Sequence, residues 1–301
     1  MRVAVAGATG VLGRAAMPAL RAAGHEVRGF ARTPGDAEDT LAVDLLDRDR
    51  VVSLARDWRP EAIVHLATAI PKEAGRGDVA AQFAATNRLR TEGTRILIEA
   101  AAAAGGAELV AQSIAFVNVP GEGLAAEDVP LRDDPADPLT AAAAPIAELE
   151  RLTLEAGGKV LRFGQLYGQG TMFAPDGGFG RMAARGRMPI LHRRGRSSTF
   201  SFVHAVDTAA AIVAALAGGP SGVFNVVDDD PATVDEWLPA LAAARGGPRP
   251  RRLPAWLARP MVGAYGVAFM TDLRGAANAK AKAELGWRPA IPSWREGFAA
   301  G

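Results

Sequence analysis

The chain has 301 residues, 49% of them hydrophobic, with 34 basic against 33 acidic side chains and a formal net charge of +1. That length and composition suit one large core with an elaboration, and the near-neutral charge excludes the field that nucleic acid or an anionic membrane surface needs. With no cysteine, disulfides, thiolate nucleophiles and cysteine metal sites are excluded together.

The N-terminus enters a β-patterned run at once, without a secretory leader's apolar core, and no stretch spans a bilayer, so a cytoplasmic location and a small-molecule substrate are expected. Short Val, Ile and Leu runs predict strands over Arg2 to Ala6, Glu26 to Phe30, Ala62 to Leu66, Glu108 to Gln112 and Lys159 to Phe163. Between them, residues 14–23, 48–58, 80–104 and 145–155 have the lengths of crossover helices, the third stopped by Gly105 and Gly106. Strands alternating with helices predict a Rossmann-type, doubly wound parallel sheet over residues 1–168. After Gly168 the alternation fails, and residues 169–301 read as a smaller mixed lobe for substrate, with a strand and helix at about 198–217 returning to the first domain. Both Phe200 to Val203 and Val223 to Val227 are strand-like.

The segment Gly7-Ala8-Thr9-Gly10-Val11-Leu12-Gly13 lies between the first strand and first helix. Glycines there permit a tight turn and close backbone approach to a pyrophosphate, which the positive end of the helix favours. The Gly-X-X-Gly-X-X-Gly spacing resembles the short-chain dehydrogenase/reductase superfamily, and the later landmarks resemble its extended, epimerase/dehydratase-like branch. These are Val43-Asp44-Leu45, His65-Leu66-Ala67, Asn87 with Thr91-Glu92-Gly93-Thr94, Leu161-Arg162-Phe163-Gly164, Leu166-Tyr167-Gly168, Phe202-Val203-His204 with Asp207, and Glu284-Leu285-Gly286-Trp287. The resemblance implies a nicotinamide dinucleotide held by Gly7, Thr9, Gly10, Val11, Leu12, Gly13, Arg14, Arg32, Asp44, Leu45, Leu66, Ala67, Asn87, Gln112 and Phe163. In NAD enzymes of this design an acid ends the second strand. Here Ala31 and Arg32 stand there, and Arg14 follows the loop, a pair suited to a 2′-phosphate. NADP is the expectation; the alternative is NAD with its ribose on Asp36 or Glu38.

The resemblance also implies a catalytic serine, a tyrosine, and a lysine four residues after it. Ser113 fits the serine, the alternative being a hydroxyl capping a strand end. Setting Ala147-Glu148 against the family pattern puts Thr140 and Ala144 at the tyrosine and lysine positions. The two tyrosines, Tyr167 and Tyr265, have Thr171 and Phe269 four residues on, so the pair occurs nowhere in the chain. An alcohol cannot replace a phenol of pKa about 10 as an acid near neutrality. Of the histidines, His192 and His204 are candidates for a catalytic role; His25 lies in a turn and His65 in a core strand. Arg185, Arg187, Arg193, Arg194 and Arg196 could bind an anionic substrate such as a nucleotide sugar or form a solvated face, while Met172, Phe173, Phe179, Met182 and Met188 suit an apolar substrate or core packing. No spacing suggests a metal site. Three functions fit: an NADP-dependent oxidoreductase with an atypical proton donor, a non-redox isomerase, epimerase or cyclase, or a catalytically retired NADP sensor. A homodimer is compatible with each.

Overall fold

The computed structural model describes residues 1–34, 39–70, 79–193 and 196–300. Asp36, Glu38, Lys72 and Arg194 therefore lie outside the described residues. The first strand, β1 (Arg2–Ala6), is buried along nearly its whole length and leads through the glycine loop into α1 (Val11–Ala22). There follow β2 (Glu26–Ala31), β3 (Thr40–Ala42), α2 (Arg48–Trp58), β4 (Ala62–His65) and α3 (Val79–Arg88). A π-helical turn over Leu89–Gly93 joins α3 to α4 (Thr94–Ala103), and β5 (Glu108–Ile114), α5 (Thr140–Glu155) and β6 (Lys159–Phe163) complete the first half.

The second half contains β7 (Gln165–Tyr167), α6 (Gly178–Ala184), β8 (Ile190–His192), β9 (Thr199–Phe200), β10 (Phe202–His204), α7 (Ala205–Ala217) and β11 (Gly222–Val226). It ends with β12 (Ala232–Thr233), α8 (Val234–Ala244), β13 (Arg252–Pro254), α9 (Ala255–Thr271), α10 (Ala279–Glu284) and α11 (Trp294–Ala300).

Seven parallel strands form the main sheet in the order β11-β6-β5-β4-β1-β2-β3. This is the expected doubly wound sheet, and its strand order reverses between β1 and β4, where open parallel sheets bind ligands at the strands' carboxyl ends. Helix α1 lays Leu12, Ala16, Met17 and Leu20 into a core shared with Ala211, Ile212 and Ala215 of α7. Helix α7 thus packs beside α1. The strand that joins the main sheet is β11, while β10 pairs with β7 because Gln165 donates to the Ser201 carbonyl at 2.8 Å.

A second core, rich in aromatics, joins Tyr167, Phe173, Phe200, Phe202, Trp237, Trp294 and Phe298. It packs the later strands and helices together. The helix expected over 80–104 is divided by the π turn, where the Thr91 and Thr94 hydroxyls donate to the Asn87 and Arg90 carbonyls and compete with the regular ladder. No helix among the described residues is long and apolar enough to cross a membrane.

Candidate functional site

The glycine loop is built by close contact. Gly7 has φ +89, and a Cβ there would lie 2.7 Å from the Ala67 nitrogen and Cα. The loops after β1 and β4 therefore touch, at the reversal point of the sheet. A Cβ on Gly13 would lie 2.3 Å from the Gly7 carbonyl oxygen and 2.4 Å from that of Ala8. Only glycine lets α1 begin so near β1. Gly10 differs: its added Cβ would meet only the Gly7 oxygen, at 3.3 Å, and the residue is exposed at the N-cap of α1. The first helical turn thus begins at an exposed glycine and carries no acid, which suits a pyrophosphate.

Around this loop the expected cofactor residues are placed unequally. Thr9, Val11, Arg14 and Ala67 keep exposed surface, whereas Leu12, Leu66 and Phe163 are buried core residues that could offer a dinucleotide only backbone atoms or an apolar edge. Arg14 donates to the Thr9 carbonyl at 2.7 Å, with its guanidinium near Gly170. Arg32 is exposed at the end of β2 and makes no ion pair among the described residues. Asp44 accepts from the Leu46 amide at 3.0 Å, and Leu45 packs under Gly93. Gln112 is buried and donates to the Ser113 carbonyl. Asn87 keeps a buried Oδ1 with no partner.

Ser113 is 1% exposed, and its hydroxyl donates to Glu150 Oε1 at 2.6 Å. Arg162 binds the same carboxylate through two bonds, Nε to Oε1 at 2.8 Å and Nη2 to Oε2 at 2.7 Å. The proton that would orient a substrate oxygen is thus committed to a carboxylate within a buried ion pair. Helix α5 turns different sides to the core and to solvent. Thr140 donates to the Asp134 carbonyl and Ala144 is exposed, whereas Ala142, Ile146 and Glu150, spaced by four, are buried. Ala142 and Ile146 thus belong to the core side of the helix, while Thr140 and Ala144 keep exposed surface and offer no group that ionises near neutrality.

The other groups considered as acids are placed as structure. His65 is 2% exposed, bonds the Leu89 carbonyl at 3.2 Å, and burial lowers its pKa to about 4, so it is neutral and pins β4 to the π turn. His204 caps α7 by accepting from the Val206 amide, and burial lowers its pKa. Tyr167 is sealed in the aromatic core, which pushes its pKa up, as do nearby carboxylates. His192 is exposed on β8. In the basic run, Arg193 and Arg196 share Asp272, while Arg185 and Arg187 are exposed. Of the apolar residues nearby, Phe173 and Met188 are core, and Met182 is exposed. Among the described residues no cluster could hold a metal ion.

Sequence reading missed Arg90, which lies in the π turn and is only 4% exposed. A charged residue in a helical pattern ordinarily reads as surface.

The chain is similar to several known proteins. A Streptomyces sp. protein named 3-diazoavenalumate denitrifying reductase is 46% identical over 306 residues, covering 99% of both chains. The UDP-glucose 4-epimerase of Thermus thermophilus, solved with NAD, superposes with a TM-score of 0.76 at 23% identity over 99% of this chain and 97% of its own. The human epimerase family protein SDR39U1 (isoform 2), solved with NADPH, gives 0.76 at 21% identity over 100% of this chain and 98% of its own. At such identities the solved structures attest the fold. The sequence model of the NAD dependent epimerase/dehydratase family matches residues 3–226, and the chain belongs to that family.

Proposed function

We propose that this chain is an NADP-dependent reductase that delivers hydride to an aromatic diazo substrate and releases dinitrogen. The observation that carries this reading is helix α5, where Thr140 and Ala144 stand at the positions of the family's tyrosine and lysine and the buried carboxylate of Glu150 is taken up by Arg162 and Ser113. Reducing a carbonyl creates an alkoxide that needs a proton from a nearby acid. Neither Thr140 nor Ala144 is such an acid. An aryl diazonium ion makes no such demand. Hydride added to its terminal nitrogen would cancel its charge and give an aryldiazene; as the carbon–nitrogen bond of that diazene breaks, its N–H bond breaks too, the hydrogen passes to the ring carbon, and dinitrogen leaves. One diazonium and one hydride give one arene and one dinitrogen. The likeness to the Streptomyces protein, named a denitrifying reductase of a diazo compound, supports the same chemistry.

The bound dinucleotide would supply the hydride. The amides at the start of α1, freed by Gly7, Gly10 and Gly13, would hold its pyrophosphate, with Asp44 and Leu45 toward the adenine and Asn87 toward the nicotinamide end. Ser113 acts by fixing Glu150, and the exposed guanidinium of Arg32 would meet the 2′-phosphate, flanked by Arg14. A variant Arg32→Ser is expected to weaken NADPH binding about 10- to 100-fold, the loss of a charge-assisted contact, and to leave NADH binding unchanged. Equal weakening of both cofactors in equilibrium titrations would remove Arg32 from the 2′-phosphate site.

The function is tested by incubating the protein with NADPH and a 15N-labelled diazo-hydroxyaryl acid, following labelled dinitrogen and NADPH together. The expected result is one dinitrogen released per NADPH oxidised. Turnover without consumption of NADPH would point to non-redox chemistry, and tight NADPH binding with no dinitrogen would leave the sensor reading in its place.

A further inference from the structure

The face of α3 that runs into the π turn carries Phe83, Asn87 and Arg90, spaced by four and three residues and so aligned along one side. This face looks across to α9: the Phe83 ring lies 6.3 Å from that of Tyr265. Tyr265 in turn stacks on Phe269 at 6.3 Å, and Phe269 meets Phe116 edge-on at 6.0 Å and Phe179 at 6.5 Å. All five rings are only partly buried. They join α3, α9, α6 and the segment after β5 in one row. Phe116 follows the end of β5 and Arg90 stands beside His65 at the end of β4, so the row begins at the carboxyl ends of the central strands.

Arg90 has almost no exposed surface, yet among the described residues nothing accepts a hydrogen bond from its guanidinium and no carboxylate pairs with it. Burial lowers its pKa only to about 10, so it is cationic at neutral pH. The titratable groups that sense its charge are the phenol of Tyr265, raised by burial, and His65, which is neutral. Neither is a counter-ion. A buried cation without a partner is strongly unfavourable, and Asn87 one turn away holds a buried acceptor that is also unpartnered. Two unmet polar groups on one helix face, at the end of a row of aromatic rings, describe a site whose missing parts belong to a ligand.

We propose that Arg90 is the anchor for the carboxylate of an aromatic acid, whose planar body lies along Phe83, Tyr265, Phe269 and Phe116. The proposal deepens the reading above and rests on it for the aromatic acid, but the anchor needs no diazo chemistry. A guanidinium offers a planar fork that matches a carboxylate with two parallel bonds, and an anion in a dry site gains most from it.

The experiment is a binding titration on the protein saturated with NADP, using unreactive hydroxycinnamates and their neutral amides. Wild type is expected to favour the acid by about 30-fold or more, and Arg90→Met to lose that preference. Arg90→Lys should keep part of it. Because Arg90→Met removes an uncompensated charge at similar volume, it should melt no lower than wild type, which separates lost binding from lost fold. An Arg90→Met protein that keeps its preference for acids overturns the proposal. So does one that loses NADPH affinity instead, since the anion would then be a cofactor phosphate. If the hydroxycinnamates bind through Arg90 and the diazo acids are not reduced, the functional reading fails and the anchor stands; if diazo acids are reduced with the same KM by Arg90→Met, the reverse holds.

Discussion

Gly13→Ala is expected to weaken NADPH binding by about 100-fold or more and to lower the melting temperature. The added methyl would stand 2.3 Å from the Gly7 oxygen, 2.4 Å from the Ala8 oxygen and 2.5 Å from the Ala8 carbonyl carbon. All three are backbone atoms of the loop itself, so no side chain can turn aside to admit it. Relief requires α1 to move off β1, and that movement carries away the free amides that face the pyrophosphate. It also opens the packing of Leu12 and Ala16 on the α7 side. Gly10→Ala supplies the comparison. Its methyl touches only one oxygen at 3.3 Å, and the backbone there, φ −71 and ψ 173, is open to any residue. That variant should fold with nearly wild-type stability and still bind NADPH more weakly, because the methyl occupies the space into which the cofactor must come. Titration of both variants, with circular dichroism melts alongside, checks the pair. Wild-type NADPH affinity in Gly13→Ala would show that the dinucleotide does not sit on this turn.

The parts of this site that could be read from the sequence are those decided within a few residues. The loop from Gly7 to Gly13 was legible because a buried strand, a glycine turn and an amphipathic helix follow one another directly. Strand β3 was not: it has three residues at the sheet edge, too few to show a period, and is held through pairing with β2. The register of α5 was hidden for another reason. Residues 141–144 are all alanine, which favours a helix and says nothing about which side faces in. The inward side is decided instead by Glu150, through partners on β5 and β6 that lie 37 and 12 residues away in sequence. Arg90 was passed over because burial of a cation is a tertiary fact. Its own helix offers no hint of the rings on α9.

Glu150→Ala is expected to destabilise the protein by about 3–5 kcal/mol, a fall in melting temperature on the order of 10 °C, while turnover below the transition survives. Arg162 and Glu150 are 4% and 5% exposed and joined by two bonds in a fork geometry, so removing the carboxylate strands a guanidinium in the interior. Its remaining bond, from Nη1 to the Glu127 carbonyl at 3.2 Å, cannot balance a full charge. The damage should spread, because Glu127 also accepts from the Asn225 amide of β11, and the cluster therefore links α5, β5, β6 and the sheet's outer strand. Replacing both partners, Glu150→Met with Arg162→Met, is expected to recover most of the loss, since the penalty lies in the unpaired charge more than in the lost attraction. Ser113→Ala separates the two roles open to that serine. If its hydroxyl serves Glu150, the variant loses about 1.5–3 kcal/mol of stability and keeps kcat within about threefold at low temperature. If it orients the substrate, kcat falls by about 100-fold or more with the melt unchanged. The 2.6 Å bond to a buried carboxylate makes the first outcome the expected one, and a catalytic collapse without a shift in melting temperature would return Ser113 to the reacting atoms.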